Sequence, residues 1–84
     1  MTRTLTPGRA VTLRALSQGP LTVETVAQRS GVIAWYARGR LRRLVEAGLV
    51  RRLGDRYALT AEGLDVLRVH ERGLLERRLA RVVG

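Results

Sequence analysis

The sequence predicts a mainly α-helical domain that carries one small β-hairpin. Apolar residues recur at three- and four-residue spacing in four segments, and glycines mark the ends of these segments. A pair of short runs, each mixing apolar and basic residues, flanks Gly54-Asp55. Three- and four-residue spacing places side chains on one face of a helix, and glycine at the first central position suits a two-residue type II′ hairpin turn. The expected order is helix, helix, turn, helix, hairpin, helix.

The first two helices are defined by the residues at their ends. Thr6-Pro7 supplies a capping hydroxyl and then a proline at the first helical position, and Gly19-Pro20 ends the element. Thr22 caps a second helix over Val23 to Arg29, and Gly31 ends it because glycine reaches the left-handed conformation without steric cost. About four residues then lead to the next helix, which matches the short turn of a helix-turn-helix.

The third helix and the hairpin follow directly. The helix is expected from Ala34 to Ala47, with Gly48 as its stop. Leu49 to Leu53 and Arg56 to Leu59 are the expected antiparallel strands of the hairpin. The residues expected to face the core from the third helix are Ala34, Ala37, Leu41, Leu44 and Val45.

These segments together resemble a known class of domain. The runs are LTVETVAQRSG, then a helix ending in RLRRLVEAGLV, then RRLGDRYALTAEGLDVL with its Y-x-LT-x-x-G pattern. They look like the winged helix-turn-helix of bacterial and archaeal transcriptional regulators of the MarR, ArsR and PadR kind, over roughly Thr6 to Leu67. The resemblance implies one winged-helix domain over residues 1–84, with a three-helix core, a two- or three-stranded wing within 6–60 and a long C-terminal helix over 61–84.

Charge favours a nucleic-acid partner. The sequence has sixteen basic residues, all arginine, and seven acidic residues, which gives a formal net charge of +9. The lack of lysine indicates a GC-rich genome, which explains the choice of arginine but not its excess over acids. A protein that displaces counterions from phosphates carries such an excess. A nucleic acid is therefore the expected partner, and the resemblance implies that it is double-stranded DNA.

The outward face of the third helix is the candidate major-groove surface. At ~100° per residue from Leu41, this face carries aromatic and arginine side chains, and arginine can grip guanine or two phosphate oxygens. By the resemblance, residues near the start of this helix read base edges. A solvated helix face without a partner is the other interpretation. The predicted DNA-binding residues are Trp35, Tyr36, Arg38, Gly39, Arg40, Arg42 and Arg43.

Two features of this helix are open to more than one interpretation. Trp35-Tyr36 departs from the small hydroxyl residues that are common there in the family. The pair either contacts thymine methyls, a sugar or a protein, or Trp35 packs against the preceding helix. Gly39 in mid-helix costs ~1 kcal/mol relative to alanine, so it is either a point of close approach to DNA or a tolerated weak point.

The hairpin is expected to lie along the DNA backbone or the adjacent minor groove. Arg52 and Arg56 are the first candidates for this contact, and Asp55 is expected to shape the turn. Alternation along a strand means that Arg51, Arg52 and Arg56 cannot all point the same way. Weaker candidates for phosphate contacts are Arg3, Arg9, Arg14 and Arg29.

The last helix is expected to mediate a homodimer. Thr60 caps it, and Leu64 and Leu67 can close the core, but its apolar stripe continues beyond the small domain. Glu71, Gly73 and Arg78 interrupt this stripe, so the tail could instead fold back as a second short helix. The predicted interface residues are Leu74, Leu75, Leu79, Val82 and Val83.

Several classes of function are disfavoured. The chain has no cysteine and one histidine, which disfavours a disulfide framework and a metal site, and no cofactor is expected. No catalytic triad, carboxylate pair or phosphate-binding glycine loop is present, so an enzyme is not expected. No membrane-spanning run or signal-like N-terminus is apparent, which predicts a cytoplasmic protein.

The predicted function is a sequence-specific DNA-binding transcriptional regulator, a small dimeric repressor. The alternative is a winged helix that serves protein-protein interaction or assembly, with Trp35-Tyr36 and the C-terminal stripe as its contact surfaces. RNA binding is a third hypothesis, but the few aromatic residues offer no stacking platform on a sheet.

Overall fold

The computed structural model describes residues 5–83, and within them it contains four helices and one three-stranded sheet. The elements are α1 (Pro7–Leu16), β1 (Leu21–Thr22), α2 (Val23–Ser30), α3 (Ala34–Glu46), β2 (Val50–Leu53), β3 (Arg56–Leu59) and α4 (Ala61–Val83). This is the predicted order, and the mainly α-helical class with a hairpin is confirmed. Helix α2 extends one residue beyond the predicted end, and Ala47 is the C-cap of α3 rather than its last residue.

Threonine hydroxyls cap three of these four helices. The Oγ1 atoms of Thr6, Thr22 and Thr60 accept the backbone N–H three residues ahead, at 3.3, 3.3 and 3.0 Å. Each cap satisfies one of the backbone donors that a helix start leaves without a partner. Helix α3 differs, because its N-cap is Ile33 and no side chain caps it.

The sheet is antiparallel, with β3 at its centre in the order β1-β3-β2. Leu21 pairs with Tyr57 on one side of β3, and Val50 pairs with Leu59 on the other. Gly54 has a φ of +63°, and no residue other than glycine has a positive φ among those described, so the turn has the φ signs of type II′. The hairpin prediction is confirmed, except that β2 begins at Val50 rather than at Leu49. Strand β1 adds a third strand, which two residues are too short to reveal by alternation.

One apolar core joins the helices to the sheet. Leu13 and Leu16 of α1, Leu41 and Leu44 of α3, and Leu67 of α4 are at most 2% exposed. The expected inward position of Val45 is wrong, because its side chain is 36% exposed.

Helix α4 runs without a break from Ala61 to Val83, so the alternative of a tail that folds back is wrong. Its first turns pack on α1 and β3, and an exposed ion pair joins Arg14 of α1 to Glu71 at 3.7 Å. Leucines further along α4 are exposed. Among the described residues, no helix is long and apolar enough to span a bilayer.

Candidate nucleic-acid interface

Helix α3 has one buried face and one basic, exposed face. Ala37, Leu41 and Leu44 are at most 1% exposed and pack into the core. The opposite face consists of exposed side chains at 35, 36, 38, 42, 43 and 46. The 3.6-residue period of the helix separates the two sets, which is why the outward positions could be predicted from Leu41 alone.

The aromatic pair at the start of α3 faces outward. Trp35 is 69% exposed and Tyr36 is 47% exposed, so the interpretation that Trp35 packs against the preceding helix is wrong. The two rings meet edge to face, with centroids 6.1 Å apart and an interplanar angle of 71°. Ile33, just before them, is 58% exposed. Ile33 is not among the predicted surface residues, although the lack of a hydroxyl or acidic cap residue before α3 sets this position apart in the sequence.

Arg40 lies on the same helix but is held within the domain. Its Nη1 donates to the Gly8 carbonyl oxygen at 2.9 Å and to Thr12 Oγ1 at 3.2 Å. Its guanidinium carbon lies 4.8 Å from the centroid of the Tyr36 ring. Thr12 is 1% exposed, so this contact anchors α3 on a buried polar group of α1. The expectation that Arg40 faces DNA is wrong for this structure, because its Nη1 donates to two oxygen atoms of α1.

The hairpin places its arginines on two faces. The register pairs Arg51 with Ala58 and Leu53 with Arg56, so Arg51 and Arg56 lie on one face of the sheet. Arg52 pairs with Tyr57 on the other face, and its Nε donates to the Gly54 carbonyl oxygen at 2.9 Å. The expected alternation is therefore observed. This alternation places Arg52 and Arg56, the first candidates for the DNA contact of the hairpin, on opposite faces of the sheet.

Solved structures share this arrangement. A MarR family protein from Bacillus stearothermophilus matches with a TM-score of 0.85 at 25% identity, over 98% of this chain and 61% of that one. The MarR family protein Rv2887 of Mycobacterium tuberculosis is 36% identical, with a TM-score of 0.77 over 92% of this chain and 62% of that one. Ligand-free NadR is 30% identical, with a TM-score of 0.81 over 96% of this chain and 64% of that one.

This chain is a MarR-like winged helix-turn-helix domain. It spans 61 to 64% of the length of these three solved structures. No protein-family profile matches the sequence, and no curated protein matches it either. Helix α3 of the MarR-like domain occupies the position of the recognition helix in a helix-turn-helix, and the β2-β3 hairpin occupies the position of the wing.

The recognition helix and the wing hold most of the net positive charge. Residues 34–56 contain seven arginines and two acids, a formal +5 of the total +9. Arg38, Arg42, Arg43, Arg51 and Arg56 are exposed, and none of them forms an ion pair within residues 5–83. Guanidinium groups without an acidic partner are available to an anionic ligand.

The remaining predicted residues of this surface have distinct surroundings. A Cβ built on Gly39 meets nothing within 4 Å, so the domain itself does not require glycine there. Asp55 is exposed in the turn of the wing. Arg9 and Arg29 are exposed, Arg14 is paired with Glu71, and Arg3 lies outside the described residues.

Proposed function

We propose that this MarR-like domain binds double-stranded DNA as part of a sequence-specific transcriptional regulator. The observation that carries the proposal is a set of five exposed arginines on the recognition helix and wing whose side chains have neither an acidic partner nor a hydrogen bond among the described residues. Arg52 is also exposed, but its Nε donates to the Gly54 carbonyl oxygen. In a winged helix these two elements meet the major groove and the flanking backbone or minor groove. A basic surface on the elements that fit the grooves favours duplex DNA over other anions.

The arginines have different proposed roles, which follow from their positions. Arg42 and Arg43 lie mid-way along the exposed face of α3, where a planar fork can grip guanine O6 and N7 or two phosphate oxygens. Arg38 is nearer the start of the helix, the end that approaches base edges. Arg51 and Arg56 share one face of the wing and are proposed to contact the backbone or the minor groove.

Repression is the proposed mode of regulation. AntR, another solved structure with this fold, is 28% identical to the chain and is an antimony-specific transcriptional repressor. A protein that occupies both the major groove and the adjacent backbone can block access of polymerase to the same DNA. The proposal for this chain rests on that geometry and on the likeness to AntR.

A homodimer through α4 is also proposed. Leu74, Leu75 and Leu79 are 41, 54 and 54% exposed on the part of α4 that extends beyond the core. Val82 and Val83, the other predicted interface residues, belong to α4, and their side chains lie outside the described part. An apolar surface of this kind on a projecting helix is stabilised by a second copy. A two-fold dimer presents two recognition helices to two half-sites.

Selection from a random-sequence duplex pool tests both specificity and dimerisation. We expect the chain to enrich an inverted repeat whose half-sites are centred about 10 bp apart, because two symmetric recognition helices span one turn of DNA. The control is Leu75→Glu with Leu79→Glu, which leaves the basic surface intact and is expected to abolish the spacing requirement. Retention of every sequence in proportion to the starting pool would contradict a sequence-specific regulator.

A further inference from the structure

The start of the recognition helix exposes large apolar and aromatic side chains. Ile33, Trp35 and Tyr36 are large apolar or aromatic residues with 58, 69 and 47% of their surface exposed. They lie at the N-cap and in the first turn of α3, the end that approaches base edges in the proposed complex. Large exposed apolar clusters of this kind mark interaction sites.

The helix begins differently from the other three. Threonine hydroxyls cap α1, α2 and α4, whereas α3 starts at Ile33 with no side-chain cap. An apolar residue at this position sacrifices the hydrogen bond that stabilises the other helix starts. Departures from a local rule that a chain follows elsewhere concentrate at functional sites. The exposed apolar surface at this end of α3 is therefore a candidate contact surface for a ligand.

A series of contacts connects the two aromatic rings to helix α1 through Arg40. Arg40 is anchored by the Gly8 carbonyl and Thr12 Oγ1, and its guanidinium lies over the Tyr36 ring at 4.8 Å. Trp35 meets Tyr36 edge to face at 6.1 Å. Cation-π and edge-to-face contacts of these kinds are attractive. These contacts favour the observed orientation of the Trp35 ring, which lowers the entropy lost when the ring contacts a ligand.

We infer that Trp35, at the start of α3, reads the 5-methyl group of thymine in the major groove. This inference rests on the proposed DNA-binding function. Among the four bases, only thymine offers an apolar group at the major-groove edge, so an exposed apolar side chain there has one complementary target. The arginines around this surface favour the binding of a polyanion over the binding of a protein surface that has few acidic residues. The occupant is thus a thymine-containing step of duplex DNA.

Replacement of thymine by uracil tests the inference, because it removes the methyl group and leaves the hydrogen-bonding edges of the base pair unchanged. The probes are two fluorescein-labelled 24-bp alternating A·T duplexes, one with thymine and one with deoxyuridine. We expect the chain to bind the thymine duplex at least about fourfold more tightly, the affinity that burial of one methyl group contributes. Trp35→Ala is expected to bind both duplexes equally, and Trp35→Phe, which lacks the indole N–H, to retain the preference.

Trp35 is the only tryptophan of the chain, so its fluorescence gives a second readout. We expect the thymine duplex to protect it from acrylamide quenching more than the uracil duplex does. Equal binding of both duplexes by the unmodified chain, with affinity still dependent on Arg42 and Arg43, would overturn thymine reading and leave DNA binding standing. A preference that persists in Trp35→Ala would assign it to DNA shape. Failure to bind either duplex at low salt would overturn the proposed function as well, and would point to a protein partner for this surface.

Discussion

Replacement of Arg42 and Arg43 together by alanine is expected to weaken binding to duplex DNA roughly 100-fold, because each residue contributes about 1 to 3 kcal/mol to a base or phosphate contact. Both side chains are exposed and neither touches the core, so the fold is expected to persist. Fluorescence anisotropy at a fixed ionic strength measures the loss, and far-UV circular dichroism checks that the helical content is unchanged.

The matched control for this experiment is Arg72→Ala with Arg77→Ala. These two arginines are also exposed, but they lie on α4, away from the recognition helix and the wing. The control removes the same number of positive charges, so a nonspecific effect of net charge would lower the DNA affinity of both variants alike. We expect the control to lose less than about threefold in affinity. Equal losses in the two variants would contradict a DNA-facing role for α3.

Gly63→Ala is expected to destabilise the domain by about 3 kcal/mol, the upper part of the range for forced overpacking. A Cβ at this position would overlap the Leu49 carbonyl oxygen and lie 2.9 Å from the carbonyl carbon. The same junction is held by the Thr60 N–H, which donates to that oxygen at 3.1 Å, and by the Thr60 hydroxyl, which donates to Gly48 O at 2.7 Å. An added methyl group pushes the start of α4 away from these partners.

Urea unfolding followed by circular dichroism measures this effect, since the exposed Trp35 reports poorly on the core. Gly73→Ala is the matched control, because it is the same substitution in the same helix and a Cβ there meets nothing within 4 Å. It is expected to raise stability by up to about 1 kcal/mol through helix propensity. Both variants must be compared at one protein concentration, because association shifts apparent stability. An unchanged midpoint for Gly63→Ala would contradict the close approach of α4 to Leu49.

The ends of the secondary-structure elements could be predicted because their signals are local. A threonine before a helix and a glycine after it act through hydrogen bonds and dihedral angles within a few residues, and Thr22 and Gly31 do so here. The turn at Gly54 is equally local. These signals, with one 3.6-residue period anchored on Leu41, placed the exposed face of the recognition helix correctly.

Arg40 shows what the sequence could not provide. At this position of the helix, the Arg40 side chain can point outward or sideways. Its direction depends on hydrogen-bond acceptors in α1 that lie 28 and 32 residues away along the chain. The buried Thr12 hydroxyl and the Gly8 carbonyl are available only because the fold brings this part of α1 within hydrogen-bond distance of the Arg40 side chain. The pattern Y-x-LT-x-x-G likewise includes Gly63, but the reason for glycine there appears only when α4 is packed against Leu49.

The salt dependence of DNA affinity tests the central claim most directly. Anisotropy titrations of the unmodified chain with a mixed-sequence duplex, from about 50 to 200 mM salt, give the number of phosphates that the protein neutralises. Five exposed arginines on the recognition helix and wing have neither an acidic partner nor a side-chain hydrogen bond within residues 5–83, so we predict a slope of log affinity against log salt of about −3 or steeper. A slope near zero, or no binding at the lowest salt, would contradict DNA binding by this surface.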